Sequence, residues 1–225
     1  MRTTMLVGAA ALATVLTTAA QPAHADCYGD ECKELERAWN KTRFEGGVGL
    51  LAGSYSVGPI SGAAIGTHVD GGVRAGRLAV LGEYDFVSIG QSTYDHPDPV
   101  RGQLHRLGVN ARYSLGAFGG ARVPIRGDIW VEGGIGDQLV RWNGGGELER
   151  RDLAFGFGGQ MTVQIGKEHP RYLGFYYAFR GIVARDPIQP KEPVMPTCAG
   201  PCDRATGPSS WDLGAFFNFG VVFSR

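Results

Sequence analysis

From Trp211 to the end of the chain, apolar and small or polar residues alternate almost without a break. Trp211, Leu213, Ala215, Phe217, Phe219, Val221 and Phe223 share one parity, and Asp212, Gly214, Phe216, Asn218, Gly220 and Val222 share the other. Successive side chains of an extended chain point to opposite faces, so this period predicts a strand with one apolar face and one mostly small or polar face. Residues 151–166 repeat the pattern, with Leu153, Phe155, Phe157, Met161, Val163 and Ile165 opposite Asp152, Ala154, Gly156, Gly158, Gln160, Thr162 and Gln164. Residues 171–185 set Leu173, Phe175, Tyr177, Phe179 and Val183 against Tyr172, Gly174, Tyr176, Ala178 and Arg180.

The same period starts at Phe44. Phe44, Gly46, Val48, Leu50 and Ala52 alternate with Glu45, Gly47, Gly49, Leu51 and Gly53. Residues 67–77 place Val69, Val73 and Ala75 against His68, Asp70, Gly72 and Arg74, and a tight turn near Gly76 leads on. In 78–90, Leu78, Val80, Gly82, Tyr84 and Phe86 oppose Ala79, Leu81, Glu83 and Asp85; in 104–116, His105, Leu107, Val109, Ala111, Tyr113 and Leu115 oppose Arg106, Gly108, Asn110, Arg112 and Ser114. Residues 125–142 are less regular. Ile129, Val131, Ile135 and Leu139 share a parity, but Trp130, Val140 and Trp142 hold the other, and a bulge near Gly133–Gly134 is the expected cause.

Between these segments lie connectors at 54–66, 91–103, 117–124, 143–146, 167–170 and 186–210, rich in Gly, Pro, Ser or charge. The connections after the first, third and seventh strands read as long, and those after the second and sixth as short. An even number of antiparallel strands with short turns at one end and longer loops at the other is the pattern of a transmembrane barrel. The predicted fold is all-β: an antiparallel up-and-down transmembrane β-barrel of about eight strands. Helical periodicity long enough for an α/β fold is absent, as is any repeat of solenoid or propeller length.

A water-soluble barrel alternates too, with its apolar face lining a ligand cavity. Here the second face is dominated by Gly, Ala, Ser and Thr, with scattered charges. A water-facing surface carries more Lys, Glu and Asp, whereas small residues suit the cramped interior of a small barrel. Composition agrees: 36 Gly without a triplet period, 43% hydrophobic residues, and a net charge of zero that excludes the basic footprint of a nucleic-acid binder.

The chain divides into a predicted signal peptide at 1–25, a polar segment at 26–43 and the barrel at 44–225. Arg2, the apolar run from Met5 to Leu16 and Ala23-His24-Ala25 supply the signal-peptide features. Glu31–Asn40 could form a short helix, either solvated or interfacial. Apolar runs are too short for a membrane helix, so strands must do the spanning. Cys27 with Cys32 and Cys198 with Cys202 are disulfide candidates in an exported protein, and a zinc site is the minor alternative.

Charges on the small-residue face are Glu45, Asp70, Arg74, Glu83, Asp85, Arg106, Arg112, Asp152, Arg180 and Asp212. Mixed signs in a lumen wide enough only for side chains predict an internal salt-bridge network rather than a wide pore. Glu83 and Asp85 share a face as an acid–base dyad would, but facing arginines explain them equally. His68, His96, His105 and His169 are scattered, and none completes a Ser–His arrangement. Thr93–Pro99 carries Asp95, His96 and Asp98, a solvated loop with a cation site as the sharper alternative. Catalytic residues, cofactor and metal are therefore not expected.

Asn218, Gly220 and Phe223 match the C-terminal pattern of polar residue, Gly two on and aromatic three further on. With the signal peptide and the strands, this makes residues 44–223 resemble the small outer-membrane β-barrels of Gram-negative bacteria, the OmpA/OmpX-like group. Ser224 and Arg225 beyond Phe223 depart from that pattern. The resemblance implies a place in the cell outer membrane, with outer-membrane lipid and the barrel-assembly machinery as partners and Asn218, Gly220 and Phe223 as the assembly signal. It implies a structural, adhesive or minor permeability role. Lipid-modifying enzymes and proteases also occur in this group and form an alternative, beside a soluble lipocalin-like barrel. The partner of the external loops has no sequence signature.

Overall fold

Each strand pairs antiparallel with the one before it, and the eighth returns to the first. β1 is Arg43–Val57, β2 Ile60–Ala75, β3 Leu78–Gln91, β4 Val100–Phe118, β5 Ile125–Trp142, β6 Glu147–Ile165, β7 Arg171–Arg185 and β8 Trp211–Ser224. Closure runs from Glu45 opposite Ser224 to Tyr55 opposite Gly214, so the sheet is a closed eight-stranded barrel without a free edge. This computed structural model describes residues 41–57, 60–91, 100–118, 125–143, 147–166, 171–185 and 211–225. The predicted signal peptide, the helix at 31–40, the loop at 93–99, His96, His169 and all four cysteines lie outside the described residues.

The period of two sets the wall. Outward side chains form an apolar belt: Leu107 is 68% exposed, Ile135 66% and Phe175 62%. On β7 the belt runs from Leu173 to Val183, roughly ten residue steps, which on a tilted strand spans about 25 Å, the height of a bilayer-facing band. Beyond it, toward the end opposite the termini, β4 to β6 continue with His105, Asp137, Arg141, Glu147, Glu149 and Arg151 on the outer face.

Several expectations need correction. Residues 54–66 are not a long loop: β1 extends to Val57 and β2 starts at Ile60, with Val57 opposite Ile60. Above the belt a barrel strand needs no apolar partner, because its ladder is made by backbone. Gly and Ser there do not break it. The connection after the first strand is therefore short. Gln91 closes β3 and β4 begins at Val100, so the polar connector is 92–99; β4 likewise runs on to Phe118. No bulge occurs at Gly133–Gly134. The β5–β6 register is continuous there, and the shift lies in β4 between Ser114 and Gly116. Trp130 and Val140 kept a lumen-facing parity throughout; both are fully buried inside the barrel.

The expected turn at Gly76 is a two-residue hairpin between Ala75 and Leu78. Gly76 has φ 59°, the first position of a type II′ turn, where a side chain would be strained.

Candidate functional site: the charged lumen

The lumen is built from the inward parity of all eight strands. Glu45, Arg74, Glu83, Asp85, Arg112, Asp152, Arg180 and Asp212 are all buried in it, together with Asp70 and Arg106. Near the terminus end, Arg74 of β2 donates to Glu45 of β1 through Nε at 2.6 Å and Nη2 at 3.1 Å, and its Nη1 meets Asp128 of β5 at 3.0 Å. Arg112 of β4 joins this group to the next. It reaches Glu45 at 3.4 Å, Asp70 at 3.2 Å and Glu132 at 3.1 Å, while its guanidinium stacks 4.5 Å from the Trp130 ring.

At mid-height, Arg180 of β7 and Arg106 of β4 converge on the two β3 carboxylates. Arg180 pairs with Glu83 and sits 3.4 Å from Asp85; Arg106 pairs with Glu83 and sits 3.3 Å from Asp85. Glu83 and Asp85 are thus neutralised by one guanidinium from the neighbouring strand and one from across the barrel. His68 lies between Asp85, 2.5 Å from Nδ1, and Asp70, 3.3 Å from Nε2. Arg106 Nε donates to both oxygens of Asp152, at 2.9 and 2.8 Å. Space for that arginine comes from Gly108 and Gly136, where a Cβ would stand 2.9 and 2.7 Å from its guanidinium.

Higher still, Gln138 donates to Asp152 at 2.6 Å, and Arg150 donates to Gln138 at 2.9 Å and to the Tyr55 hydroxyl at 2.8 Å while pairing with Asp212. Two apolar clusters share the lumen with the ionic column. Leu51, Tyr55, Val87, Ile89, Leu104, Val140 and Phe216 fill one part of the lumen, and Trp130, Tyr176 and Val222 another. Charged groups are tolerated here because partners and hydrogen bonds replace their water.

The polarity is the reverse of a soluble barrel: salt bridges inside, aromatic and aliphatic side chains outside. The chain is a transmembrane β-barrel. Its interior is filled with side chains, as expected for eight strands.

Asp128, Glu132, Gln138 and Arg150 belong to the network but were not anticipated from sequence. Parity would have supplied the first three, since they share a face with Trp130, had a bulge not been invoked in β5. Arg150 precedes the predicted start of its strand. His68 was on the correct face but was grouped with unrelated histidines; His105 faces outward and bonds the Tyr84 hydroxyl at 2.8 Å. Among the described residues, no three His, Cys, Asp or Glu side chains are arranged to hold a metal ion.

The three proposed signal residues sit on the closing strand. Asn218 accepts a hydrogen bond from the Tyr176 hydroxyl at 3.2 Å. Gly220 packs beneath the Tyr176 ring, and Phe223 lies 5.9 Å from Phe44 on the outer face.

Neither a protein-family model nor a curated protein matches the chain. Among solved structures, Neisserial surface protein A is 13% identical, with a TM-score of 0.46 over 80% of this chain and 95% of its own. The attachment invasion locus protein of Yersinia pestis is 12% identical, TM-score 0.40, over 82% and 99%. The N-terminal β-barrel domain of Pseudomonas aeruginosa OprF is 11% identical, TM-score 0.36, over 82% and 97%. The closed eight-stranded barrel bears out the architecture that the strand pattern predicted. At this identity the relatives set no expectation about activity.

Proposed function

We propose that the protein is a non-enzymatic barrel of the cell outer membrane with a structural and surface-presenting role. The observation that carries this reading is the inverted polarity: an apolar belt such as Phe155, Phe157, Phe175 and Phe179 faces out, while Arg106, Arg180, Glu83, Asp85 and Asp152 fill the lumen. A soluble ligand carrier would need an apolar cavity where this network sits. The two longest connections, 92–99 and 186–210, leave the barrel at the end opposite the termini, which suits contact with the cell's surroundings. The barrel-assembly machinery and outer-membrane lipid are its partners in this reading.

The test is fractionation with heat-modifiable gel mobility. The expected result is a band in detergent extracts of outer membranes that shifts on boiling; recovery in the soluble fraction without detergent would overturn it. In planar bilayers the refolded barrel is expected to show no stable open-pore conductance, because the column from Arg74 to Asp212 occupies the path. Lipid A from cells with and without the gene should have the same mass; a lost or added acyl chain would replace this reading with that of a lipid-modifying enzyme.

A further inference from the structure

We propose that the seam where β7, β8 and β1 meet, at the terminus end of the belt, binds one anionic glycerophospholipid by its headgroup. The proposal rests on the membrane reading above and assigns a specific lipid site within it.

A groove of about 790 Å³ opens on the outer surface there. Phe44, Ile165, Leu173 and Phe223 form its apolar side, and Arg171 and Arg225 its cationic side. The order along the wall is that of a lipid: Arg171 stands two residues before Leu173 and Arg225 two residues after Phe223, on the same outward parity. Acyl chains would lie along the rings while the phosphate meets the guanidiniums, whose donors match phosphate oxygens in pairs.

Charge balance distinguishes this edge from the opposite one. There, two outward arginines face carboxylates: Arg141 meets Glu147 at 2.9 Å and Arg151 meets Asp137 at 3.4 Å. Among the described residues, no Asp or Glu side chain pairs with Arg171 or Arg225. The acids nearest this end among the described residues, Glu45 and Asp128, are turned inward onto Arg74. An anionic headgroup supplies the missing charge, whereas a zwitterionic one brings its own ammonium to compete with the arginines.

The site is held in place. Phe44 and Arg225 exchange both backbone hydrogen bonds, at 2.8 and 2.9 Å. The residues that depart from the family pattern, Ser224 and Arg225, therefore extend the closing ladder and fix one of the two cations. Gly46 has no side chain where the Phe223 ring passes, 2.7 Å from a would-be Cβ, so the ring lies flat against the seam.

To test this, the barrel is refolded into vesicles of phosphatidylglycerol and phosphatidylcholine, extracted in mild detergent, and its co-purifying lipid measured by mass spectrometry. The expected result is roughly tenfold enrichment of phosphatidylglycerol over the vesicle ratio. The double variant Arg171→Gln, Arg225→Gln should fall to the vesicle ratio while its heat-modifiable band persists, and Arg171→Lys, Arg225→Lys should fall between the two, keeping the charge but not the paired donors. Bulk-ratio lipid on the wild type, or equal enrichment on the Gln variant, would overturn the site. Failure to insert into any vesicle would instead overturn the membrane reading beneath it.

Discussion

Arg106 on β4 reaches past β5 to grip both carboxylate oxygens of Asp152 on β6, with both side chains fully buried. Such a pair braces non-adjacent staves, which backbone ladders cannot do. Removing one partner strands a charge in the interior. Asp152→Asn is expected to cost roughly 3–5 kcal/mol, read as a lowered urea midpoint of the barrel refolded in lipid vesicles. The exposed pair Arg141–Glu147 provides the contrast: Glu147→Gln should cost at most about 1 kcal/mol. Equal effects of the two substitutions would show that the lumen pair is as well solvated as the surface one.

Gly136 exists to admit the same arginine. An added methyl would stand 2.7 Å from the Arg106 guanidinium, while at outward-facing Gly82 the nearest atom is 3.8 Å away. Gly136→Ala is therefore expected to cost roughly 1–3 kcal/mol through forced displacement of Arg106. Gly82→Ala should stay within about 0.5 kcal/mol. Unfolding titrations of both variants in the same vesicles decide the matter.

The belt makes its own demand. Phe157 stacks on Phe179 at 5.4 Å and faces outward. Phe157→Arg is expected to destabilise the inserted barrel by about 2–4 kcal/mol if the residue lies near the bilayer midplane. Glu149→Arg, beyond the belt on the same strand, should change stability by less than about 0.5 kcal/mol. A tolerated arginine at 157 would mean that water, not lipid, meets this face.

Parity carried most of what could be read in advance. It assigned Glu45, Arg74, Glu83, Asp85, Arg106, Arg112, Asp152, Arg180 and Asp212 to one face, because the side-chain period of a strand is two wherever the strand sits. Hydrophobicity failed where the bilayer ends. Residues 54–57 and 60–66 look like a loop because nothing above the belt requires them to be apolar, yet the hydrogen-bond ladder continues through them. Trp130 misled in another way: a large ring on the parity opposite Ile129 and Val131 suggests a bulge, whereas it fills the lumen in unbroken register and takes the Arg112 guanidinium on its face. Which acid meets which arginine was not legible at all. Arg180 lies far from Glu83 in sequence, and their meeting depends on the strand stagger that closes the barrel.

The closing strand offers a way to separate stability from recognition. Asn218, Gly220 and Phe223 match an assembly signal, but each also packs. A methyl at Gly220 would stand 2.2 Å from the Val48 carbonyl oxygen and 2.6 Å from the Tyr176 ring. Gly220→Ala is therefore expected to impair refolding into vesicles that contain no assembly machinery, and its loss from cells would say nothing about a signal. Phe223→Leu keeps an apolar side chain against Phe44 on the lipid face. Its stability in vesicles should stay within about 1.5 kcal/mol of wild type. If the aromatic is what the machinery reads, the level of Phe223→Leu in outer membranes should nonetheless drop several-fold, with unfolded chain accumulating in the periplasm. Wild-type levels of this variant in the membrane would confine Phe223 to packing the seam with Phe44.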